Sequence, residues 1–342
     1  MARDISTELT VMSVRGPLPA SQMGTTLPHE HIFLDVWKEY GRDGVLNDLE
    51  LAVRELDDLV AAGGATLIDC TCIEIGRDPQ GLVKVSERTG LNIVMGTSHY
   101  RHPYLDQEWF DRHDTGWIAQ GLIDDITLGV GGVKAGIIGE IASERAWITT
   151  AEERSFRAAA RAHRATGITI STHAACWPVG LAQLDLLEDE HVDPRRVVIG
   201  HCDTVPDPAY HLEIARRGAF VQFDTIRATN AYESEQRVRF VSDLAAAGYL
   251  DQILLSHDIC LRRHLQAYGG SGYSYVLREF VPSLQRAGFT DADIKRMVVE
   301  NPKRMLTGTA PAASAPVSRR KAGLVQSDPT PDTHRRPRSS PR

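Results

Sequence analysis

The chain has 342 residues, 42% of them hydrophobic and 24% charged, the composition of a soluble globular protein with room for one large α/β domain or two small ones. Its net charge is −7, and the stretch 317–342 carries seven Lys/Arg against two Asp, which leaves −12 on the remainder. A body that acidic argues against nucleic acid as a partner. No apolar run reaches the roughly 18 residues of a membrane span, and the polar start Met1-Ala2-Arg3-Asp4 lacks a signal-peptide core, so a cytoplasmic location is expected. Five cysteines without a C-x-x-C fit reduced thiols in a core better than a disulfide framework.

In chain order, Leu9–Val14 and Gly16-Pro17 read as a short hairpin lead-in. β-branched apolar runs then alternate with amphipathic stretches of helical length. Strands are expected at Thr26–Leu34, Ala65–Thr71, Ile93–Thr97, Ala135–Ile141, Ile168–His173, Val197–His201, Phe220–Thr225 and Ile253–Asp258. Helices are expected at Asn47–Ala62, Thr150–Thr166, Val179–Glu188, Pro208–Arg217, Glu233–Ala247, Tyr273–Ala287 and Asp291–Leu306. Gly63-Gly64, Gly167, Gly218 and Gly248 stop helices just before strands. Eight such alternations predict a single (β/α)8 TIM barrel over 1–308. An open doubly wound sheet is the competitor, but no G-x-G-x-x-G or P-loop supports its nucleotide-binding form. The Pro/Ser/Arg-rich segment 309–342 has no apolar period and reads as a disordered basic tail.

The strand ends carry the chemistry. His29 and His31 flank Glu30 on an extended segment and point the same way. Alone such a pair says little. The fourth strand, however, ends in Glu140, the fifth in His173, the sixth in His201 and the eighth in Asp258. Singly, Asp258 reads as a cap and Glu140 as a loop acid. In a parallel barrel, all these ends meet at one face. Four imidazoles and two carboxylates there form a ligand set for two divalent metal ions with open positions. Glu30 and Asp203 alternate away from the set and read as hydrogen-bonding supports.

Five motifs carry a family likeness: Gly24-Thr25-Thr26-Leu27-Pro28-His29-Glu30-His31, Ala135-Gly136-Ile137-Ile138-Gly139-Glu140-Ile141, Ser171-Thr172-His173, Ile199-Gly200-His201-Cys202-Asp203 and Leu255-Ser256-His257-Asp258. In these the chain resembles the phosphotriesterase family of the amidohydrolase superfamily, from about Gly16 to Leu306. The resemblance implies a hydrolase with two Zn2+ ions. His29, His31 and Asp258 would hold the buried ion, His173 and His201 the more exposed one, and the strand-four ligand would bridge them. Organophosphate-cleaving phosphotriesterases have a carbamylated lysine there, one place earlier. Here Glu140 resembles the bridging glutamate of the phosphotriesterase-homology and phosphotriesterase-related branch. Lys134, six residues back, lies too deep, roughly 20 Å down the strand.

The histidine those phosphotriesterases carry on strand seven is Thr225 here, with Asp203-Thr204 on strand six, so their proton relay is absent or different. Tyr100 falls where the lactonase branch also has tyrosine. The expected reaction is attack of a metal-bridging hydroxide on a lactone, ester or amide carbonyl, with Asp258 as proton acceptor and phosphotriester cleavage as a side activity. A true organophosphate triesterase is one alternative; a non-catalytic small-ligand-binding protein on the same scaffold is the other. Tyr100, Arg227 and the Arg262-Arg263-His264 run are candidate contacts for a small-molecule substrate, the arginines for an anionic group. A homodimer is implied by the resemblance alone.

Overall fold

Eight parallel strands form the sheet of the computed structural model, which describes residues 8–228 and 231–310. They are β1 (Thr26–Glu30), β2 (Thr66–Asp69), β3 (Asn92–Thr97), β4 (Ile137–Ala142), β5 (Ile170–His173), β6 (Val197–Gly200), β7 (Phe220–Phe223) and β8 (Ile253–Leu255). Each pairs in parallel with the next in sequence, and helices separate them, as a (β/α)8 barrel requires. All eight coincide with expected strands within a few residues at the ends; β3 starts one residue earlier and β4 ends one residue later than expected. The basic tail from 311 onward lies outside the described residues.

Both faces of these strands are covered, so they read as continuous apolar runs. Ile68, Val94, Ile137, Val198 and Leu254 are fully buried, and share a cluster with Val11 and Leu18 of the N-terminal hairpin (Thr10–Ser13 with Gly16–Pro19) and with Met305 and Leu306 of the last helix. The lead-in therefore packs with the last helix against the barrel strands.

Besides the single turn Trp37–Tyr40, three helices of the described residues were not expected from the sequence: Pro79–Thr89, Gln107–Arg112 and Thr115–Thr127. Each starts on an aspartate (Asp78, Asp106, Asp114) whose side chain accepts a backbone N–H of the first turn. Pro79-Gln80-Gly81 looks like a break, but proline at the first helical position is favoured because its missing N–H has no partner there anyway. Two expected helices contain π stretches, Val276–Phe280 and Arg296–Glu300. Each is followed by a proline, Pro282 or Pro302, which cannot donate to the carbonyl four residues back and widens the turn before it.

Two strands carry bulges. Between β1 and β2, Leu27 pairs with Leu67 but Glu30 with Asp69; between β4 and β5, Ile138 pairs with Ile170 but Ile141 with Thr172. The extra residue falls at Pro28-His29 and at Gly139-Glu140, and re-aims the side chains that follow. Gly139 has φ 147°, and a Cβ there would lie 2.5 Å from Ser171 O, so only glycine fits.

Among the described residues, no backbone ladder joins β8 to β1. The seam is closed mainly by side chains, with one backbone hydrogen bond. Glu30, fully buried, accepts hydrogen bonds from Ser256 Oγ (2.8 Å), His257 N (2.8 Å), His257 Nδ1 (2.7 Å) and Ile259 N (3.0 Å). Val276 N donates to His257 Nε2, which leaves the proton on Nδ1, facing Glu30. His29 N donates to Ser256 Oγ, and Asp258 N to His29 O.

Candidate metal centre

The barrel brings the six residues named from the strand ends together at one face. Glu140, 1% exposed, lies at the middle. Its Oε2 is 2.9 Å from His173 Nδ1, 3.2 Å from His201 Nε2 and 3.4 Å from His29 Nε2, and its Oε1 is 3.4 Å from His31 Nε2. Asp258 Oδ1 lies 3.2 Å from His31 Nε2 and 3.9 Å from His29 Nε2. His29, His31 and Asp258 form one group whose donor atoms lie within 4.8 Å of one another, and Glu140, His173 and His201 form another.

The far edges of the rings are tied from behind. His31 Nδ1 is 2.9 Å from Thr71 Oγ1, and His201 Nδ1 is 2.8 Å from Asp224 Oδ1. With the Nδ1 atoms tied there, each Nε2 is turned toward Glu140. His201 and Asp258 both adopt left-handed backbone conformations (φ 57° and 53°), which cost of order 1 kcal/mol or more for residues other than glycine. Asp224 accepts His201 N and holds that turn.

The charges are interdependent. Burial alone would push the Glu140 carboxyl up, but the His173 and His29 charges and hydrogen bonds outweigh it and hold it well below the usual carboxylate range. Asp258 is lowered the same way, burial being outweighed first by its hydrogen bond to His31. Burial opposes protonation of His31, yet Asp258 and Glu140 push it up to about 10. His173 goes the other way, lowered by burial and by the neighbouring His201.

Asp224 was missed in the sequence. It is fully buried, receives Gln222 Nε2 at 2.6 Å and touches His201 Nδ1, with His29 Nδ1 at 3.4 Å. It therefore sits behind two imidazoles, on the side away from Glu140. The rule that picked Asp258, an aspartate closing an apolar strand, applies equally to Phe223-Asp224. Asp203 is a support, as read: its carboxylate accepts Thr225 Oγ1 (2.6 Å), Thr225 N and Arg237 Nε (3.0 Å).

The three substrate candidates separate. Tyr100 is 7% exposed and stands edge-on to His173, ring centroids 5.4 Å apart at 80°. Arg227 Nη1 donates to the carbonyls of His257 and Asp258, both at 2.6 Å, and so braces the turn that carries Asp258. Arg262 Nε donates to Val45 O and lines a cavity of about 230 Å3 with Arg42 and Tyr273, to which none of the six contributes. Lys134 lies three residues before the start of β4, while Glu140 lies within it.

A sequence model of the phosphotriesterase family matches residues 9–306, and the chain belongs to that family. It is 38% identical to the phosphotriesterase homology protein of Escherichia coli over 284 residues, 82% of this chain and 97% of that one. It is 33% identical to an N-acetyltaurine hydrolase of Dictyostelium discoideum, covering 77% of this chain and 74% of that one. The crystal structure of a lactonase from Listeria monocytogenes superposes with TM-score 0.81 at 27% identity, covering 88% of this chain and all of that one. The chain is thus an enzyme, a hydrolase of a metal-dependent family.

Whether these residues suit a metal is tested by their own chemistry. His29 Nε2 is fully buried and has no hydrogen-bond partner. A polar ring nitrogen buried without a partner costs on the order of 1–3 kcal/mol. His173 Nδ1 and His201 Nε2 face each other at 2.8 Å, an arrangement that needs a cation or a shared proton between them. Four imidazoles and two carboxylates with anchored rings fit divalent ions. No described helix is long and apolar enough to cross a membrane.

Proposed function

We propose that this hydrolase uses two Zn2+ ions to hydrolyse the acyl C–O or C–N bond of a lactone, ester or amide in a small-molecule substrate, with phosphotriesters as poorer substrates. The observation that carries the reading is the placement of Glu140, within 3.4 Å of a nitrogen on each of four imidazoles. His29, His31 and Asp258 would hold one ion, His173 and His201 the other, with Glu140 shared. Bound there, divalent ions supply Lewis acidity and lower the pKa of water toward about 7. The chain does the rest. Asp258, braced by Arg227 through its own carbonyl, is placed to take the proton of the attacking water and return it to the leaving group. Tyr100 walls the side of the site next to His173.

The bond preference rests on Thr225. Its hydroxyl is committed to Asp203, so no imidazole at the end of β7 relays a proton, which favours carbonyl over phosphoryl centres. The likeness to an N-acetyltaurine hydrolase and to a lactonase supports amide and lactone carbonyls alike. Homodimerisation and residence in the cytoplasm, without nucleic-acid or membrane partners, complete the proposal.

The test pairs metal analysis with a panel of lactones, N-acyl amines, aryl esters and a phosphotriester, with and without chelator. Two Zn2+ per chain and a carbonyl activity lost to chelator and restored by Zn2+ are expected. Turnover indifferent to chelator, or a His173→Ala variant at full rate, overturns the proposal; a phosphotriester outpacing every carbonyl substrate favours an organophosphate triesterase. Asp224→Asn, which keeps shape but weakens the anchor behind His201, is expected to cost about 10- to 100-fold in metal affinity or kcat/KM. Metal titration and steady-state rates read this, and unchanged values rule out the anchoring role.

A further inference from the structure

The loop after β3 is held from several sides. Glu74, after β2, takes Tyr100 N on Oε2 at 2.9 Å and His99 Nδ1 on Oε1. Glu152 Oε1, part of the capping box of the helix after β4, takes both His102 N (3.0 Å) and Glu144 N (2.9 Å).

The central tie is Arg101, whose side chain is 12% exposed. One guanidinium nitrogen contacts both carboxylate oxygens of Glu39, in the segment after β1. The other reaches Glu144, after β4. The guanidinium carbon lies 5.2 Å from the centre of the Tyr100 ring and 5.4 Å from that of Tyr104. Tyr100 in turn stands edge-on to His173.

An exposed ion pair would contribute little and fix nothing. Here one planar fork spans two loops while its face packs on two rings of a third. That is guanidinium geometry, which an ammonium cannot reproduce. Without Arg101, the Glu39 and Glu144 carboxylates would face each other with like charge, and Tyr100 would lose the plane that backs it.

We propose that Arg101 is a positioning and specificity-determining residue: by tying the loops after β1 and β4 together across Tyr100, it fixes the width of the entrance beside His173 and selects compact acyl groups. This rests on the carbonyl-hydrolase reading. Arg101 touches no reacting atom; it acts through Tyr100 and the spacing of the loops.

The experiment compares wild type, Arg101→Gln, Arg101→Lys, Glu39→Gln and the double variant Arg101→Gln/Glu39→Gln as Zn2+-loaded protein. 4-Nitrophenyl acetate and 4-nitrophenyl octanoate are the probes, with hydrogen exchange as a second readout. For Arg101→Gln, kcat/KM on the acetyl ester is expected to fall about tenfold. The octanoyl ester holds or gains, so the ratio between them shifts by about tenfold or more, with metal content unchanged. Arg101→Lys lies between, because it keeps the charge and loses the fork. The double variant is no worse than Arg101→Gln, since both break one tie. Exchange quickens together in segments 36–46, 98–105 and 143–149.

An equal fall for both esters, multiplying effects of Glu39→Gln and Arg101→Gln, or unchanged exchange in the three segments overturns the proposal. If wild type turns over neither ester, the choice of scissile bond fails, and the exchange pattern alone decides whether Arg101 ties the entrance.

Discussion

Glu140→Ala is expected to lower kcat/KM by at least about 10³-fold, or about 4 kcal/mol, the scale of charge stabilisation a metal site supplies. Metal content should fall from two ions per chain toward one. Each of the four imidazole nitrogens within 3.4 Å loses the carboxylate it faces at once. His173 suffers most: its Nδ1 would be left with His201 Nε2 at 2.8 Å and no carboxylate to balance a charge there. Glu140→Asp, one methylene shorter, should fall between. Lys134→Ala should change nothing, since Lys134 lies three residues before the start of β4, while Glu140 lies within it. Plasma emission spectrometry alongside steady-state rates checks both. A Glu140→Ala enzyme that keeps two ions and its rate would remove Glu140 from the centre of the site.

The second large effect is on folding. Glu30→Ala should destabilise the protein by about 3–5 kcal/mol, the range for removing one partner of a buried, charged hydrogen-bonded set. Four donors, Ser256 Oγ, His257 N, His257 Nδ1 and Ile259 N, would lose their acceptor in a position fully shielded from water. At about 2–4 °C per kcal/mol for a chain somewhat smaller than this, the melting temperature should drop by about 10 °C. Glu30→Gln should cost less, because its remaining oxygen can keep the three donors gathered on Oε1 and lose only Ile259 N. Thermal unfolding followed by circular dichroism tests the order. A Glu30→Ala protein melting with wild type would mean the seam is held by something else.

The sequence revealed the strand ends because a parallel barrel turns one-dimensional positions into a shared rim. An apolar run closed by a His or a carboxylate is conspicuous, and five of these converge. What it concealed were the two bulges. Counting alternation along Ala135–Glu140 assumes an unbroken pleat, whereas the extra residue at Gly139-Glu140 shifts the register and re-aims the carboxylate. Asp224 is masked in the sequence by its neighbour Thr225, the position at which the family resemblance places a histidine. The arginines were harder still. Arg227 and Arg262 follow β7 and β8 as substrate contacts would, but their guanidinium groups are committed to backbone carbonyls, a three-dimensional fact that spacing does not encode.

The seam between β1 and β8 has a further consequence. His29 lies on the first barrel strand, His31 just past its end and Asp258 just past the last strand, so an ion held by these three would staple the two ends of the sheet. Topologically this acts like a crosslink closing a loop of more than two hundred residues, the kind whose closure removes most freedom from the unfolded chain. Ligand binding of this sort stabilises the folded form in proportion to the logarithm of free ion concentration over its dissociation constant. Heat resistance and turnover would then follow the same zinc titration, and a chelated sample would both stop working and open along the line where its first strand meets its last.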